Sequence, residues 1–253
     1  MIDKLKEECG VFGIFQNKDA AVLTQLGLHA LQHRGQEGAG IVSCDGNEFV
    51  SIRKKGLVSD NFNKLKTLKK LKGNSAIGHV RYSTAGGSIK ENIQPLFANL
   101  ADGGFACAHN GNLINANHLR EKLTKTGSIF QTSSDTETIL QLVARSKELT
   151  VEKKIIDAIG KIKGAFSLVI LTKDKMYGIK DPFGIRPLVI GKINNSFILA
   201  SETCALDMIG AKYVRDVENG EIIEFSIHGM RSIKPFPKTN ERPCIFERIY
   251  FSR

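Results

Sequence analysis

The sequence predicts an α+β fold. Strand-like and helix-like segments fall in separate runs, where a βαβ chain would alternate them. No internal repeat, low-complexity tract or Pro/Ser-rich linker interrupts the 253 residues, so one domain with a full core is expected. Hydrophobic residues make up 42% and charged residues 25%, the balance of a globular chain.

The elements follow in order. Gly10–Phe15 is predicted as a strand because Val11, Phe12, Ile14 and Phe15 favour extended backbone. A helix is predicted over Asp19–His33, with Val22, Leu23, Leu26, Ala30 and Leu31 near one stripe. Gly35, Gly38 and Gly40 then break it. Strands fit Gly40–Ser43, Phe49–Arg53, Ala76–Tyr82 and Phe105–His109, and helices fit Asn115–Lys125, Asp135–Lys147 and Val151–Lys161. A late run of short strands covers Ala165–Thr172, Lys175–Lys180, Leu188–Ile190, Phe197–Ala200 and Glu221–Phe225.

Several function classes fall away. No stretch approaches the roughly 18 apolar residues of a membrane span, and Met1–Glu8 lacks the apolar core of a secretory signal. Five scattered cysteines do not form a disulfide framework, which points to a reducing cytoplasm. The net charge is +10, concentrated at Arg53, Lys54, Lys55, Lys64, Lys66, Lys69, Lys70 and Lys72 with Asp60 the one acid among them. Such a patch could neutralise phosphates. It carries only Phe62 as an aromatic and no nucleic-acid motif, so a solvated lysine face is expected and nucleic acid is not an expected partner. There is no GxxxxGK[ST] loop, HExxH, paired CxxC or GxSxG elbow. His29 and His33 are an isolated helical pair, short of the three or four ligands of a zinc site.

What remains are five segments dense in Gly, Asn, His and Arg beside apolar runs: Cys9–Gly13, His33–Gly40, Gly78–Gly86, His109–Asn112 and Thr132–Glu137. Loops at the ends of rigid elements commonly carry function. Cys9 is a candidate nucleophile. If the bond before it is cut, its own α-amine, titrating near 7.7, can take the thiol proton. Position alone favours a buried strand cysteine. Asn110 and Gly111 can supply two donors to an oxyanion, one from the side-chain amide and one from a closely approaching backbone N–H. Alone, Asn-Gly also fits a hairpin turn. Arg81 offers a bidentate fork for a carboxylate, and Asp135 an acceptor for an ammonium. Asp135 equally suits a helix N-cap before Ile139, Leu140 and Leu142.

Taken together, six collinear motifs resemble the class-II glutamine amidotransferases of the N-terminal-nucleophile hydrolase superfamily, and within them the amidophosphoribosyltransferase family. They are Glu7–Ile14, Leu31–Ile41, Gly78–Tyr82, Ala108–Leu113, Asp181–Leu188 and Ala200–Thr203. The resemblance implies a four-layer αββα sandwich, with Cys9 as nucleophile and Asn110 and Gly111 as oxyanion hole. It also implies that Arg81, assisted by Thr84, holds the glutamine carboxylate, that Asp135 holds its amine, and that Arg34 and Gly35 shape the pocket. By the same resemblance, residues 1–8 are a leader to be removed and 9–240 the glutaminase domain. Residues 241–253 begin a connection to a phosphoribosyltransferase domain that this chain does not contain. Implied for a full-length, homo-oligomeric enzyme are Mg and a 4Fe-4S cluster, to which Cys244 would contribute one ligand. Other readings are the glutaminase domain of another class-II amidotransferase, or a non-catalytic basic interaction protein. The presence of Cys9, Arg81, Asn110, Gly111 and Asp135 together argues against the last.

Overall fold

The computed structural model describes residues 9–82, 89–237 and 239–245. Residues 1–8, expected as a leader, and Thr84, expected beside the glutamine carboxylate, lie outside the described residues.

The chain opens with β1 (Gly10–Phe15), every residue of which is buried, followed by helix α1 (Ala20–Ala30). The helix stops three residues short of the predicted end. Gln32–Arg34 instead makes a 3-10 turn, which swings Arg34 inward. Gly38 and Gly40, expected as breakers, lie within β2 (Gly38–Cys44), which pairs along its length with β3 (Phe49–Lys55) and β4 (Ser75–Arg81). Between these lie two short helices, α2 (Val58–Phe62) and α3 (Leu65–Leu68).

The second half of the fold begins with β5 (Leu96–Leu100) and β6 (Gly103–Leu113). The helices α4 (Ala116–Lys125), α5 (Asp135–Arg145) and α6 (Val151–Ile159) follow without an intervening strand. Then come β7 (Gly164–Thr172), β8 (Met176–Lys180), β9 (Val189–Ile193) and β10 (Ser196–Ala200). The described chain ends with α7 (Cys204–Met208), β11 (Lys212–Asp216), β12 (Ile222–Ser226) and β13 (Gly229–Ile233).

Two antiparallel sheets result. The first has seven strands in the order β11-β9-β10-β1-β4-β2-β3, the second six in the order β13-β12-β8-β7-β6-β5. Strand parity decides which side chains meet, because successive residues point to opposite faces. From β1, Phe12 and Ile14 turn outward onto α1 and α7, joining Leu28, Leu31, Ala205 and Leu206. Val11 and Phe15 turn inward, meeting Ala106, Ala108, Val169 and Leu171 of the second sheet. On its far side the second sheet packs Phe105, Cys107, Leu168 and Ile170 against Ile139, Val143, Ile155 and Ile159 of α5 and α6. Three cores between four layers make the αββα sandwich that the resemblance implies.

Candidate active site

One end of the sandwich gathers residues from seven segments spread along the sequence. The inward face of β1 continues back from Val11 to Cys9, and the β1–β4 register sets Gly10 against Val80. Cys9 therefore begins β1 beside the end of β4. It is 7% exposed. Its thiol lies 3.3 Å from the Tyr82 carbonyl oxygen and 3.5 Å from the Tyr82 N–H.

Arg34 reaches Cys9 from the turn after α1. Its side chain is fully buried. Nε donates to the Cys9 carbonyl at 3.0 Å, and Nη1 meets Glu202 Oε1 at 2.5 Å. Burial pushes the Glu202 carboxyl up, but the His33 hydrogen bond and the Arg34 charge outweigh it and hold the group below the usual carboxylate range. Gly35 lies flat on the Arg81 backbone, where a Cβ would come within 2.5 Å of the Arg81 carbonyl carbon. A larger residue there would push the strand end away from Cys9.

Arg81 is buried at the end of β4, with Nη1 donating to the Asn92 carbonyl at 3.0 Å. The Asn92 side chain in turn donates to Ser133 Oγ at 2.8 Å and accepts the Ser133 N–H at 3.0 Å. That exchange ties the first sheet to the start of α5. Asp135 there is the first helical residue and not the cap. Ser134 takes the cap, its hydroxyl accepting the Thr136 N–H. The structure thus corrects the capping alternative and leaves the Asp135 carboxylate facing elsewhere. Oδ2 accepts the Leu113 N–H at 3.0 Å and Oδ1 lies 3.5 Å from His109 Nδ1. Burial raises the Asp135 carboxyl, while the His109 charge and hydrogen bond, with the Leu113 and Thr136 amides, bring it net below the ordinary range. A cavity of about 260 Å³ opens beside it, lined by Asn112, Arg120, Ser133, Ser134 and Thr138 among others.

Asn110 and Gly111 do not form a hairpin turn. They lie within β6, which pairs with β7 without a break in register from Phe105 to Leu113. Asn110 shares the parity of Ala106 and Ala108, so its amide points between the sheets, toward the face that carries Cys9 and Arg81. It is fully buried, and neither its oxygen nor its nitrogen has a hydrogen-bond partner. A buried amide in that state costs about 1–3 kcal/mol. Gly111 holds φ at +146°, and a Cβ there would strike the Ala165 carbonyl oxygen at 2.0 Å. Only glycine fits.

Residues the sequence did not single out complete the frame. His79 on β4 contacts the His109 carbonyl at 3.1 Å through Nε2, joining the sheets directly behind Asn110. Burial and the Arg81 charge push it down to about 3, so it is a neutral strut. Gln94 accepts the His109 N–H at 2.7 Å. Ser201 accepts the Val11 N–H at 2.9 Å. The Ser-Glu pair of the Ala200–Thr203 motif was the available signal for Ser201 and Glu202. Asn92, Gln94 and His79 gave none.

Among the described residues, the side chains that converge as ligands are His33, Glu202 and Cys204, and Glu202 is already taken by Arg34 and His33. No such group includes Cys244. An iron–sulfur cluster of this kind needs four thiolates. Cys44 and Cys107 are buried in separate cores and are not the partners expected for Cys244 in a full-length enzyme. Arg53, counted in the basic stretch, folds back onto the Glu91 and Ile93 carbonyls.

Comparison with known proteins gives a consistent result. A family model described as a glutamine amidotransferase domain matches residues 79–208, just over half the chain. An amidophosphoribosyltransferase of Rhizobium etli is 52% identical over 99% of the chain and 52% of its own length. A chloroplastic amidophosphoribosyltransferase of Arabidopsis thaliana is 51% identical over 99% of the chain and 47% of its own length. Among solved structures, a Bacillus subtilis glutamine phosphoribosylpyrophosphate amidotransferase, complexed with ADP and GMP, superimposes with a TM-score of 0.92 at 46% identity. That superposition covers 97% of the chain and 53% of the neighbour. The chain spans about half the length of these relatives.

Proposed function

Because this chain belongs to the glutamine amidotransferase family, we propose that it hydrolyses glutamine through a thioester on Cys9. In this proposal it is the glutaminase half of an amidophosphoribosyltransferase, supplying ammonia to make phosphoribosylamine from phosphoribosyl pyrophosphate at the start of purine synthesis. With residues 1–8 removed, the Cys9 α-amine takes the thiol proton and the thiolate attacks the glutamine side-chain carbonyl. Negative charge develops on that oxygen and is met by the Asn110 amide and the Gly111 N–H. The amine returns its proton as the C–N bond breaks, ammonia leaves, and a thioester remains. Water, deprotonated by the same amine, releases glutamate. The glutaminase step itself needs no cofactor. Arg81, with Thr84, receives the α-carboxylate and Asp135 the α-ammonium.

The observation that carries this proposal is the buried Asn110 amide with no protein partner, on the face shared with Cys9. Purified chain incubated with glutamine is expected to release ammonia and glutamate, and intact mass is expected to show loss of Met1–Glu8. An active preparation that retains the leader would overturn the α-amine as base. Asp135→Asn is expected to raise KM for glutamine about 10- to 100-fold, the loss of one charge-assisted hydrogen bond. Melting should change little, since an Asn oxygen can still accept the Leu113 N–H. Steady-state kinetics beside thermal denaturation check both.

The phosphoribosyltransferase domain, homo-oligomerisation, Mg and the cluster belong to the full-length enzyme in this proposal. We place residues 9–240 as the glutaminase unit and 241–253 as the start of a connection. In support, the Arg242 N–H donates to the Phe183 carbonyl at 2.8 Å, so that segment leaves along the 181–186 turn. A cytoplasmic setting agrees with five free cysteines, and no described helix is long and apolar enough to cross a membrane.

A further inference from the structure

Glu202 and His33 have no task in the chemistry above, yet they converge on it. We infer that they are positioning residues for the nucleophile: they fix the Arg34 guanidinium, which fixes the Cys9 carbonyl and so the direction of the Cys9 amine and thiol. This rests on the proposal that Cys9 attacks with its own amine as base.

Such a nucleophile has no external base residue to orient it. Its handles are its backbone and the strand behind it. The Cys9 carbonyl accepts Arg34 Nε–H at 3.0 Å, while the next residue but one, Val11, is held through its N–H by Ser201 at 2.9 Å. Ser201 and Glu202 are neighbours just after β10, the strand that pairs with β1. One short segment therefore clamps β1 directly and, through Arg34, clamps Cys9 itself.

The guanidinium is fully buried, and a desolvated cation needs an anion with good geometry to be kept there. Glu202 supplies it at 2.5 Å. The carboxylate is held from its other side, with both oxygens 3.0 and 3.1 Å from His33 Nε2. His33 Nδ1 lies 3.1 Å from the Ala30 carbonyl at the end of α1. The chain of contacts thus runs from helix α1 through His33, Glu202 and Arg34 to the Cys9 carbonyl. A divalent ion shared by His33, Glu202 and Cys204 would have to displace these contacts and sit beside the Arg34 charge, which disfavours it.

The test uses the full chain after leader removal. Glu202→Gln is expected to lower kcat for glutamine hydrolysis about 10- to 100-fold, the scale of a small misplacement of reacting groups, with KM changed less than about twofold. The alkylation rate of Cys9 by iodoacetamide should fall with kcat. His33→Gln, which keeps a donor to the carboxylate, is expected to retain more kcat than His33→Ala. Rates are normalised to competent sites titrated with a thiol-directed glutamine analogue, so partial unfolding does not imitate the effect. Should Glu202→Gln fold poorly, Glu202→Asp and the two His33 variants carry the same comparison. Unchanged kcat per competent site in all of them would overturn the relay, as would a loss confined to KM or to melting temperature. If Cys9→Ser kept its activity, the nucleophile assignment would fail instead. An inactive Cys9→Ser beside a fully active Glu202→Gln would remove only the relay.

Discussion

Replacing Cys9 by Ser is expected to lower glutamine hydrolysis by roughly 10³-fold or more, since a hydroxyl is far less acidic and less nucleophilic than a thiol and the α-amine that deprotonates sulfur removes its proton much less readily. The fold should survive. The thiol's contacts to Tyr82 are long, 3.3 and 3.5 Å, and a hydroxyl can donate to the same carbonyl. A melting shift beyond about 4 °C, the effect of roughly 1 kcal/mol in a domain of this size, is not expected. Ammonia release and circular dichroism on the same preparation check the two halves. Retained hydrolysis would leave Cys9 as one more buried strand residue.

Asn110→Ala carries the second large effect. Loss of one oxyanion donor commonly costs about 10²–10³ in kcat, and that loss is expected here with KM nearly unchanged. Stability should move the other way from an ordinary core substitution. The wild-type amide has no partner to lose, so removing it relieves about 1–3 kcal/mol of unpaired burial. The small void left behind offsets part of that. Melting should therefore hold or rise. Asn110→Asp, of the same size but placing an acceptor where a donor is needed, should be at least as inactive. Full activity with a lowered melting temperature would make Asn110 a structural residue.

How far these sites were legible varies with how local their signal is. The order of strands and helices followed from apolar patterning, because β1 is buried throughout, β6 and β7 along continuous runs, and α5 and α6 bury one face. The edge strands β5, β11 and β13 escaped notice. Lys212–Asp216 and Gly229–Ile233 are mostly exposed, and a strand with no buried face has no alternation to read. Helices of four or five residues, such as α2, α3 and α7, are too short for a helical period to register. At the site, Ser133, Ser134 and Asp135 are all good caps by residue type, and only the three-dimensional pairing of Asp135 with Leu113 separates them. The Asn-Gly pair read as a possible turn because the strand pairing that keeps it extended comes from β7, some 55 residues on. The motif marked Glu202 but not its role, since its partners His33 and Arg34 are 169 and 168 residues away.

The place of β1 has a consequence for what happens when a leader is cut away. It is the middle strand of seven, laddered to β10 on one side and β4 on the other. Fresh chain ends usually fray, because nothing beyond them holds the last residues down. Here the residue that would become terminal is joined to a strand anchored along both edges and is gripped at its own carbonyl. Scission would thus turn an internal peptide into a rigidly mounted tip.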